Sequence, residues 1–396
     1  MIADRMVGYV KSSSVIRAMF EEGKKMAAIY GAENVYDFSL GNPSVEPPKE
    51  VKEAVFDILN TEKPNMVHGY MSNAGYPDVR KTVAESVNSR FGTHFTAENI
   101  LMTVGAAGGM NVTMKTLLNP GDEVLTFAPY FTEYDAYVKN YDGVLVKVPA
   151  NPATFQPDLE KFAAAVTAKT KAVIINTPNN PTGVIYSEET IQKLAGILTE
   201  AEKKFGTSIY LFSDEPYREI AYDGIEVPYI TKYYHNTIVG YSFSKSLSLP
   251  GERIGYLVIP SEIDDYEEVV AAAAIANRIL GYVNAPSLMQ RVVARCLDAK
   301  VEVSVYQKNR DLLYSSLISY GYECIKPQGA FYLFVKCLPR FGEDDKAFAA
   351  AAKKHNILIV PGSSFGGKGY CRIAYCVDYA MIERALPGFK ALSEEK

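Results

Sequence analysis

The sequence of 396 residues is poor in the patterns that mark metal sites, disulfide frameworks and nucleic-acid surfaces. Its five cysteines are odd in number and form no C-x-x-C pair, which predicts reduced thiols rather than disulfides or a zinc site. The four histidines are scattered without metal-ligand spacing, so we expect no bound metal. The net charge is −5 and no basic block is present, which disfavours nucleic acid as a partner.

Long apolar runs are also missing, although 48% of the residues are hydrophobic, and this argues against a membrane-spanning helix. The first residues do not combine a basic stretch with an apolar core, so a secretory signal is not predicted. We therefore expect a cytoplasmic protein that acts on small molecules and has no membrane partner. Its length is sufficient for two or three domains.

Lys245 lies within Y-S-F-S-K-S-L-S-L-P-G, directly after a strand-like run, and is the only charged residue between Asn236 and Gly251. Hydroxyl and apolar side chains surround it, so we expect its ammonium group to be poorly solvated. Desolvation lowers the pKa of a lysine and leaves the amine free to attack a carbonyl. The stretch fits a Schiff-base lysine, and a surface lysine in a serine-rich loop is the alternative at this point.

Three strand-like segments lead directly into polar residues: A-V-I-I into N-T-P-N-N-P-T-G, I-Y-L-F into S-D-E-P-Y, and T-I-V-G-Y into S-F-S-K. Helical segments between them give the spacing of β-α units in a mostly parallel sheet. Ligands bind outside the carboxyl ends of such strands. We therefore expect one crevice to contain Asn180, Asp214, Tyr217 and Lys245.

A turn of small residues, G-A-A-G-G at 105–109, connects a predicted strand to a predicted helix. A helix N-terminus offers free N–H groups and the positive end of the helix dipole, which suits a phosphate. The turn matches neither a Walker A loop nor G-x-G-x-x-G. Glycines also occur where a helix packs closely on a sheet, so both interpretations stay open here.

The C-terminal part has the pattern of a smaller α+β domain, reached through a predicted long helix from Ser287 past Tyr306. Within it, Arg372 lies in the otherwise uncharged strand-like run Y-C-R-I-A-Y-C-V. A buried guanidinium needs an anion, which is either a protein carboxylate or a substrate's. We divide the chain into an N-terminal arm with part of the small domain (1–45), a large domain (46–285) and a small C-terminal domain (286–396).

These motifs together resemble the pyridoxal-phosphate aminotransferases of class I and II, the aspartate aminotransferase family. The matching residues, from Gly41 to Arg372, include N-P-T-G at 180–183, D-E-P-Y at 214–217, S-F-S-K at 242–245 and Arg253 eight residues later. The resemblance implies an α/β protein of fold type I, with a mostly parallel seven-stranded sheet in a large cofactor-binding domain. It also implies a homodimer with shared active sites that transfers an amino group between an α-amino acid and a 2-oxo acid.

The resemblance implies a role for each matching residue. Lys245 is similar to the lysine that forms a Schiff base with pyridoxal 5'-phosphate and moves the substrate proton, and Asp214 to the carboxylate that keeps the pyridine nitrogen protonated. The implied phosphate contacts are Ser242, Ser244, Arg253 and the backbone of Ala106 and Ala107. The other implied cofactor contacts are Tyr217 and Asn180 at the phenolic oxygen, Phe131 against the ring, and Tyr70 at the phosphate of a neighbouring subunit. The implied contacts of the substrate carboxylate are Arg372, Gly41 and Asn180.

The sequence departs from the family where a second substrate carboxylate would bind. Ile279 aligns with an arginine of the animal and enteric aspartate enzymes, with Arg278 one residue away, and Ala107 with a lysine of another branch. Aspartate specificity therefore stays open, as does a cysteine-sulfur β-lyase on the same scaffold, since the motifs do not determine the fate of the carbanion. A ligand-sensing regulatory domain is disfavoured, because only about forty residues precede Gly41. For Phe131 and Tyr70, simple packing is the alternative.

Overall fold

The computed structural model describes residues 2–11 and 15–395, so residues 12–14 of the predicted N-terminal arm lie outside the described part. Within it the strands are β1 Tyr36–Asp37, β2 Ile100–Thr103, β3 Glu123–Ala128, β4 Val144–Pro149, β5 Thr170–Asn176, β6 Tyr210–Asp214, β7 Thr237–Ser242, β8 Gly255–Val258, β9 Tyr332–Lys336, β10 Ile357–Leu358, β11 Val360–Pro361 and β12 Tyr370–Ala374. The α-helices are α1 Asp4–Lys11, α2 Val15–Tyr30, α3 Lys49–Thr61, α4 Pro64–His68, α5 Pro77–Phe91, α6 Gly105–Leu117, α7 Glu133–Lys139, α8 Leu159–Ala165, α9 Glu188–Phe205, α10 Phe243–Ser246, α11 Tyr266–Ile279, α12 Ser287–Arg295, α13 Val303–Ser319, α14 Asp345–Lys354 and α15 Tyr379–Glu394.

The largest sheet has seven strands in the order β2-β8-β7-β6-β5-β3-β4. All neighbouring pairs are parallel except those of β8, which runs antiparallel to both β2 and β7. Its central strands are buried on both faces, as expected for a parallel sheet covered by helices. The predicted α/β fold with a mostly parallel seven-stranded sheet is confirmed.

Helix α9 illustrates how the local sequence produces an element that covers this sheet. The side chain of Ser187 accepts a hydrogen bond from the backbone N–H of Thr190 at 3.1 Å and so caps the N-terminus. Ile191, Leu194 and Leu198 recur at helical spacing and are all fully buried. The helix ends at Gly206, whose φ of 66° is easily adopted only by a residue without a side chain.

The remaining strands form a three-stranded antiparallel sheet, β11-β12-β9, and a two-stranded parallel sheet, β1-β10. The pairing of β1 with β10 joins the N-terminal segment to the C-terminal part of the chain, and Phe38 N–H donates to Leu358 C=O at 2.9 Å beside it. Phe38 and Phe389 belong to the buried apolar cluster beneath this sheet. The division of the chain into 1–45, 46–285 and 286–396 remains a prediction.

The predicted long helix beyond Ser287 was wrong. Two helices, α12 and α13, occupy this stretch, and residues 296–302 between them are not helical. These residues include neither glycine nor proline, so the sequence carries no local helix-breaking signal there. Cys296 is buried, and Leu297 and Ala299 pack against the cluster that also contains Val292. Tertiary packing therefore outweighs local helical periodicity in this segment.

Strands β5, β6 and β7 end side by side at Asn176, Asp214 and Ser242, as the parallel arrangement requires. The loop before β9 packs over this edge, because the N–H groups of Gln328 and Gly329 both donate to Gly183 C=O, at 2.8 and 3.0 Å. A crevice thus forms between the carboxyl edge of the large sheet and the three-stranded sheet. None of the described helices is both long enough and apolar enough to span a bilayer.

Candidate active site

Lys245 lies in the short helix α10, immediately after β7, at the carboxyl edge of the sheet. Its Nζ donates a hydrogen bond to the Gly41 carbonyl oxygen at 2.7 Å. Burial lowers the pKa of Lys245 to about 8, with a small opposing effect from Cys376 and further lowering by Arg253 and Arg372. A much larger fraction of this amine is therefore neutral near pH 7 than of an ordinary lysine.

Asp214 is the last residue of β6 and is buried. The hydroxyl of Tyr134, itself fully buried, donates to Asp214 Oδ2 at 2.5 Å. Burial raises the pKa of Asp214 to about 7, while the Tyr134 hydrogen bond lowers it and the charge of Glu215 raises it. The carboxyl group is thus close to its ionisation midpoint at neutral pH, and a nearby positive charge would make it a carboxylate.

Asn176, the last residue of β5, joins two of the predicted site residues. Its Nδ2 donates to the backbone oxygen of Asp214 at 2.9 Å, and its Oδ1 accepts from the backbone N–H of Asn180 at 2.7 Å. The loop after β5 is therefore held in register with the end of β6. Asn176 was not predicted as a site residue, although it opens the polar run N-T-P-N-N-P-T-G.

Two tyrosine hydroxyls meet inside the crevice. The Oη atoms of Tyr217 and Tyr332 lie 2.8 Å apart, and both side chains are buried. A side chain at Gly41 would overlap the Tyr332 hydroxyl, so glycine at 41 allows the backbone to approach it. The family resemblance implied Gly41 as a site residue but not Tyr332, whose position in an apolar strand had the pattern of a core residue.

Arg372 projects from β12 and is only 2% exposed. Its Nη1 donates to Asn180 Oδ1 at 3.0 Å and its Nη2 to the Ser39 carbonyl oxygen at 2.6 Å, whereas its buried Nε has no hydrogen-bond partner. Tyr332 and Phe365 present their rings to the guanidinium, 4.6 and 4.7 Å from Cζ. Within residues 2–11 and 15–395, no carboxylate lies within 4 Å of this cation. The sequence suggested two possible anions for Arg372, a protein carboxylate or a substrate carboxylate. The structure does not show the first of these.

A group of potential phosphate donors lies beside Lys245. The hydroxyls of Ser242 and Ser244 are 2.8 Å apart and both residues are buried. Gly105 begins α6 with φ +68°, and a Cβ there would lie 3.0 Å from Arg253 Nη2. The absence of a side chain at 105 therefore leaves room between the helix N-terminus, where Ala106 and Ala107 follow, and the guanidinium.

Other predicted residues lie away from these contacts in the single chain. Phe131 is half-buried and meets the ring of Tyr134 edge-on, with centroids 5.6 Å apart. Tyr70 is 93% exposed in the loop after α4. Arg278 and Ile279 are exposed at the end of α11. Tyr134 was missed because its loop, A-P-Y-F-T-E-Y, offered several aromatic residues and only the fold selects the one that reaches Asp214.

Comparisons with known proteins agree with this geometry. The model of the family described as aminotransferase class I and II matches residues 33–389. The chain is 32% identical over 354 residues to a probable aspartate/prephenate aminotransferase of Thermus aquaticus, covering 89% of both chains, and 30% identical to an aspartate aminotransferase of Pyrococcus horikoshii, covering 100% and 98%. A crystal structure of an aminotransferase from Eubacterium rectale is similar with a TM-score of 0.95 and 47% identity, covering 99% and 98%. Aspartate aminotransferase from Thermus thermophilus with maleate is similar with a TM-score of 0.87 and 27% identity, covering 99% and 100%.

Proposed function

The chain belongs to the class I and II aminotransferase family and is an enzyme that transfers amino groups, and from this premise we propose that pyridoxal 5'-phosphate is its cofactor. The observation that carries the proposal is the Lys245 amine, whose pKa burial lowers to about 8. It lies in the same crevice as the buried Arg372, which has no carboxylate partner among residues 2–11 and 15–395. We propose that its substrates are an α-amino acid and a 2-oxo acid. A β-lyase is not favoured, because the named relatives are aminotransferases.

The donor set of the crevice fits this cofactor. The phosphate would be bound by the Ser242 and Ser244 hydroxyls, Arg253 and the first N–H groups of α6, with the side-chain-free Gly105 leaving space for it. Burial without a cationic partner has raised the pKa of Asp214 to about 7, as suits a carboxyl group that receives a protonated ring nitrogen. When bound, the cofactor supplies an aldehyde and a ring that withdraws electrons from the substrate Cα.

In the proposed mechanism the protein residues position the reactants and move one proton. Arg372 binds the substrate α-carboxylate through its planar fork, and Asn180 holds that guanidinium in place. The fixed carboxylate would orient the Cα–H bond towards Lys245, whose neutral amine would accept the proton and return it to the carbon of the cofactor's aldehyde group. Asp214 would hold a proton at the ring nitrogen of the cofactor, and Tyr217 and Asn180 would bind its phenolic oxygen.

The covalent role of Lys245 is tested by borohydride reduction of the protein loaded with pyridoxal phosphate, followed by peptide mass spectrometry. We expect the reduced adduct on the peptide that contains Lys245 and its loss in Lys245→Ala. Lys193→Ala, which removes an exposed lysine, is the matched control and should retain the adduct. Equal labelling in Lys245→Ala would contradict the proposal. A panel of amino acids against 2-oxoglutarate, oxaloacetate and pyruvate then identifies the substrate pair.

We further propose that two chains form a homodimer with shared active sites. Tyr70 and several apolar side chains are exposed in the single chain, including Phe56 at 57%, Met66 at 55% and Ile279 at 57%. Exposed apolar surface of this kind favours an interface, and a two-fold arrangement would allow Tyr70 to reach the partner's phosphate site. Sedimentation of the active enzyme tests this, since an active monomer would contradict it. The cytoplasmic location stays a prediction from the sequence.

A further inference from the structure

Three side chains able to bind a metal lie together at the edge of the large sheet opposite Lys245. His235 precedes β7, Glu202 lies in the last turn of α9, and Asp264 follows β8. One oxygen of Glu202 lies 3.9 Å from His235 Nε2, and one oxygen of Asp264 lies 3.8 Å from the same atom. The ligand atoms of all three side chains lie within 4.8 Å of one another.

The two carboxylates are oriented by hydrogen-bond donors around the cluster. Asn236, which is fully buried, donates through Nδ2 to Glu202 Oε1 at 2.8 Å and to Asp264 Oδ2 at 2.9 Å. Ile209 N–H donates to Glu202 Oε1 at 2.9 Å and Ser208 Oγ to Asp264 Oδ2 at 2.6 Å. One oxygen of each carboxylate thus accepts these hydrogen bonds, and the other oxygen faces the imidazole of His235. Such outer contacts orient ligands in metal sites.

When both are ionised, the two carboxylates bring two negative charges to the cluster, and one oxygen of each faces the His235 ring. The imidazole nitrogen is too far from either oxygen for a hydrogen bond. Lys171 is the nearest other cation to affect Asp264, but its ammonium lies over the Tyr210 ring at 5.1 Å, and it forms no ion pair with Glu202 or Asp264 within the described chain. Tyr234 borders the cluster and carries no positive charge. The cluster therefore has the charge and the free ligand atoms for a bound cation.

We propose that Glu202, His235 and Asp264 bind one divalent transition-metal ion, Zn²⁺ in the first instance, with water completing its coordination. Zn²⁺ lies about 2.0 to 2.2 Å from such ligands, so two atoms bound at the tetrahedral angle are roughly 3.4 Å apart. The nitrogen–oxygen distances of 3.8 and 3.9 Å would therefore shorten by roughly half an ångström when the ion binds. A neutral imidazole with two carboxylates offers a charge of about −2. The imidazole favours a transition metal over Mg²⁺ or Ca²⁺, which prefer oxygen ligands.

The ion would connect α9, β7 and the segment after β8 rather than take part in amino transfer. β7 runs from Thr237 to Ser242 before Lys245, and a strand of this length spans roughly 20 Å. Binding should therefore stabilise the folded chain without touching the reacting groups. The histidine pattern predicted no metal, because these three ligands are far apart in sequence and only the fold brings them together.

The test is equilibrium dialysis of the purified holoenzyme against Zn²⁺, with bound metal measured by atomic absorption. We expect one Zn²⁺ per chain, loss of at least about tenfold in affinity in His235→Asn and Asp264→Asn, and unchanged affinity in His94→Asn, which alters an exposed histidine elsewhere. Binding should weaken from pH 7.5 to pH 5.5, because protonated imidazole cannot ligate a metal. A saturating ion should raise the melting temperature of the wild type by roughly 3 °C and leave amino transfer unchanged.

Three outcomes would overturn the proposal. The first is no binding at micromolar Zn²⁺, and the second is equal binding by all four proteins, which would mean adventitious association only. The third is loss of the melting-temperature increase in His94→Asn as well as in His235→Asn. Because His235 is 43% exposed, its substitution should leave the fold intact, and circular dichroism of each variant verifies this.

Discussion

Two buried arginines in this molecule have nearly the same burial but different partners. Arg310 is 0% exposed and Arg372 2% exposed, and each has a tyrosine ring 4.6 Å from its Cζ, Tyr222 and Tyr332 respectively. Arg310 binds both oxygens of Asp223, at 2.8 and 3.0 Å, and also pairs with Asp311. Among the residues that the structure describes, the acceptors of Arg372 are the neutral Asn180 Oδ1 and Ser39 carbonyl oxygen, and its Nε has no partner.

The comparison distinguishes a structural cation from a binding cation. Burial tends to lower the pKa of Arg310, but Asp223 and Asp311 raise it above its ordinary value. The positive charge of Arg310 is therefore balanced by carboxylates of the protein itself. Burial lowers the pKa of Arg372, and the groups that oppose this are Tyr332, Tyr217 and Cys376, with no carboxylate of the described chain among them. The crevice around Arg372 and Lys245 thus lacks an anion that the region around Arg310 already contains. A substrate carboxylate would complete it.

The largest effect should follow Lys245→Met, which removes the amine from the crevice. Amino transfer should fall below detection, because no other residue supplies the covalent link and the proton transfer at this place. In the cofactor-free protein the folded state binds fewer protons than the unfolded chain between pH 8 and about 10.5, so wild-type stability rises with pH over that window. The variant should therefore be more stable at pH 7 by about 1 to 3 kcal/mol, with the gain vanishing towards pH 11.

Denaturant unfolding of both cofactor-free proteins across this pH range measures the difference. A variant less stable than the wild type at pH 7 would mean that Lys245 is a structural group like Arg310.

Matched substitutions of the two arginines should then separate activity from stability. In Arg372→Lys, kcat/KM should fall about 10- to 150-fold for every amino acid, as expected from the loss of one charge-assisted hydrogen bond worth about 1.5 to 3 kcal/mol. In Arg310→Lys, the free energy of unfolding should fall by about 1 to 3 kcal/mol while kcat/KM per folded molecule is retained.

Steady-state kinetics and denaturant unfolding of both variants provide the two measurements. An activity loss in Arg372→Lys confined to one substrate would instead make Arg372 a reader of the substrate side chain.

A smaller effect is expected from Tyr134→Phe, which removes a hydrogen bond to the buried Asp214. That bond lowers the pKa of Asp214, so the pKa should rise without it. Because the ionised carboxylate is the form that holds the ring proton, the acid limb of the pH–kcat profile should move to higher pH, with a loss of about tenfold or less at pH 7. Tyr322→Phe, which removes a buried hydroxyl bonded to Phe389 C=O, is the control. An unshifted profile would exclude Tyr134 as a positioning residue for Asp214.

The smallest effect should come from Arg278→Ala at the exposed end of α11. If Arg278 binds a side-chain carboxylate across the dimer, kcat/KM for aspartate should fall a few-fold, while that for a neutral amino acid stays unchanged. If Arg278→Ala changed kcat/KM by the same factor for both substrates, Arg278 would have no role in specificity.

The sequence predicted the principal elements of the large sheet because its buried strands are continuous apolar runs separated by helical segments of the right length. Lys245, Asp214 and Asn180 could be identified for the same reason, since each lies at the end of such a strand or within four residues after it. Tyr134 and Tyr332 could not, because an aromatic residue among other aromatic residues has the same local pattern whether it packs in a core or holds a carboxyl group.

By itself the sequence determined the order of strands and helices, the family and the residues at the strand ends, because these depend on local periodicity and on short motifs. Only the tertiary structure decided which buried charges have a partner of opposite charge. Arg310 and Arg372 are both buried, and Arg310 binds a carboxylate from a distant loop, Asp223, in addition to that of its sequence neighbour Asp311. The break between α12 and α13 was decided in the same way, since packing of residues far apart in the chain outweighed the local helical pattern. Contacts between distant segments follow from how the elements pack, and local periodicity contains no information about them.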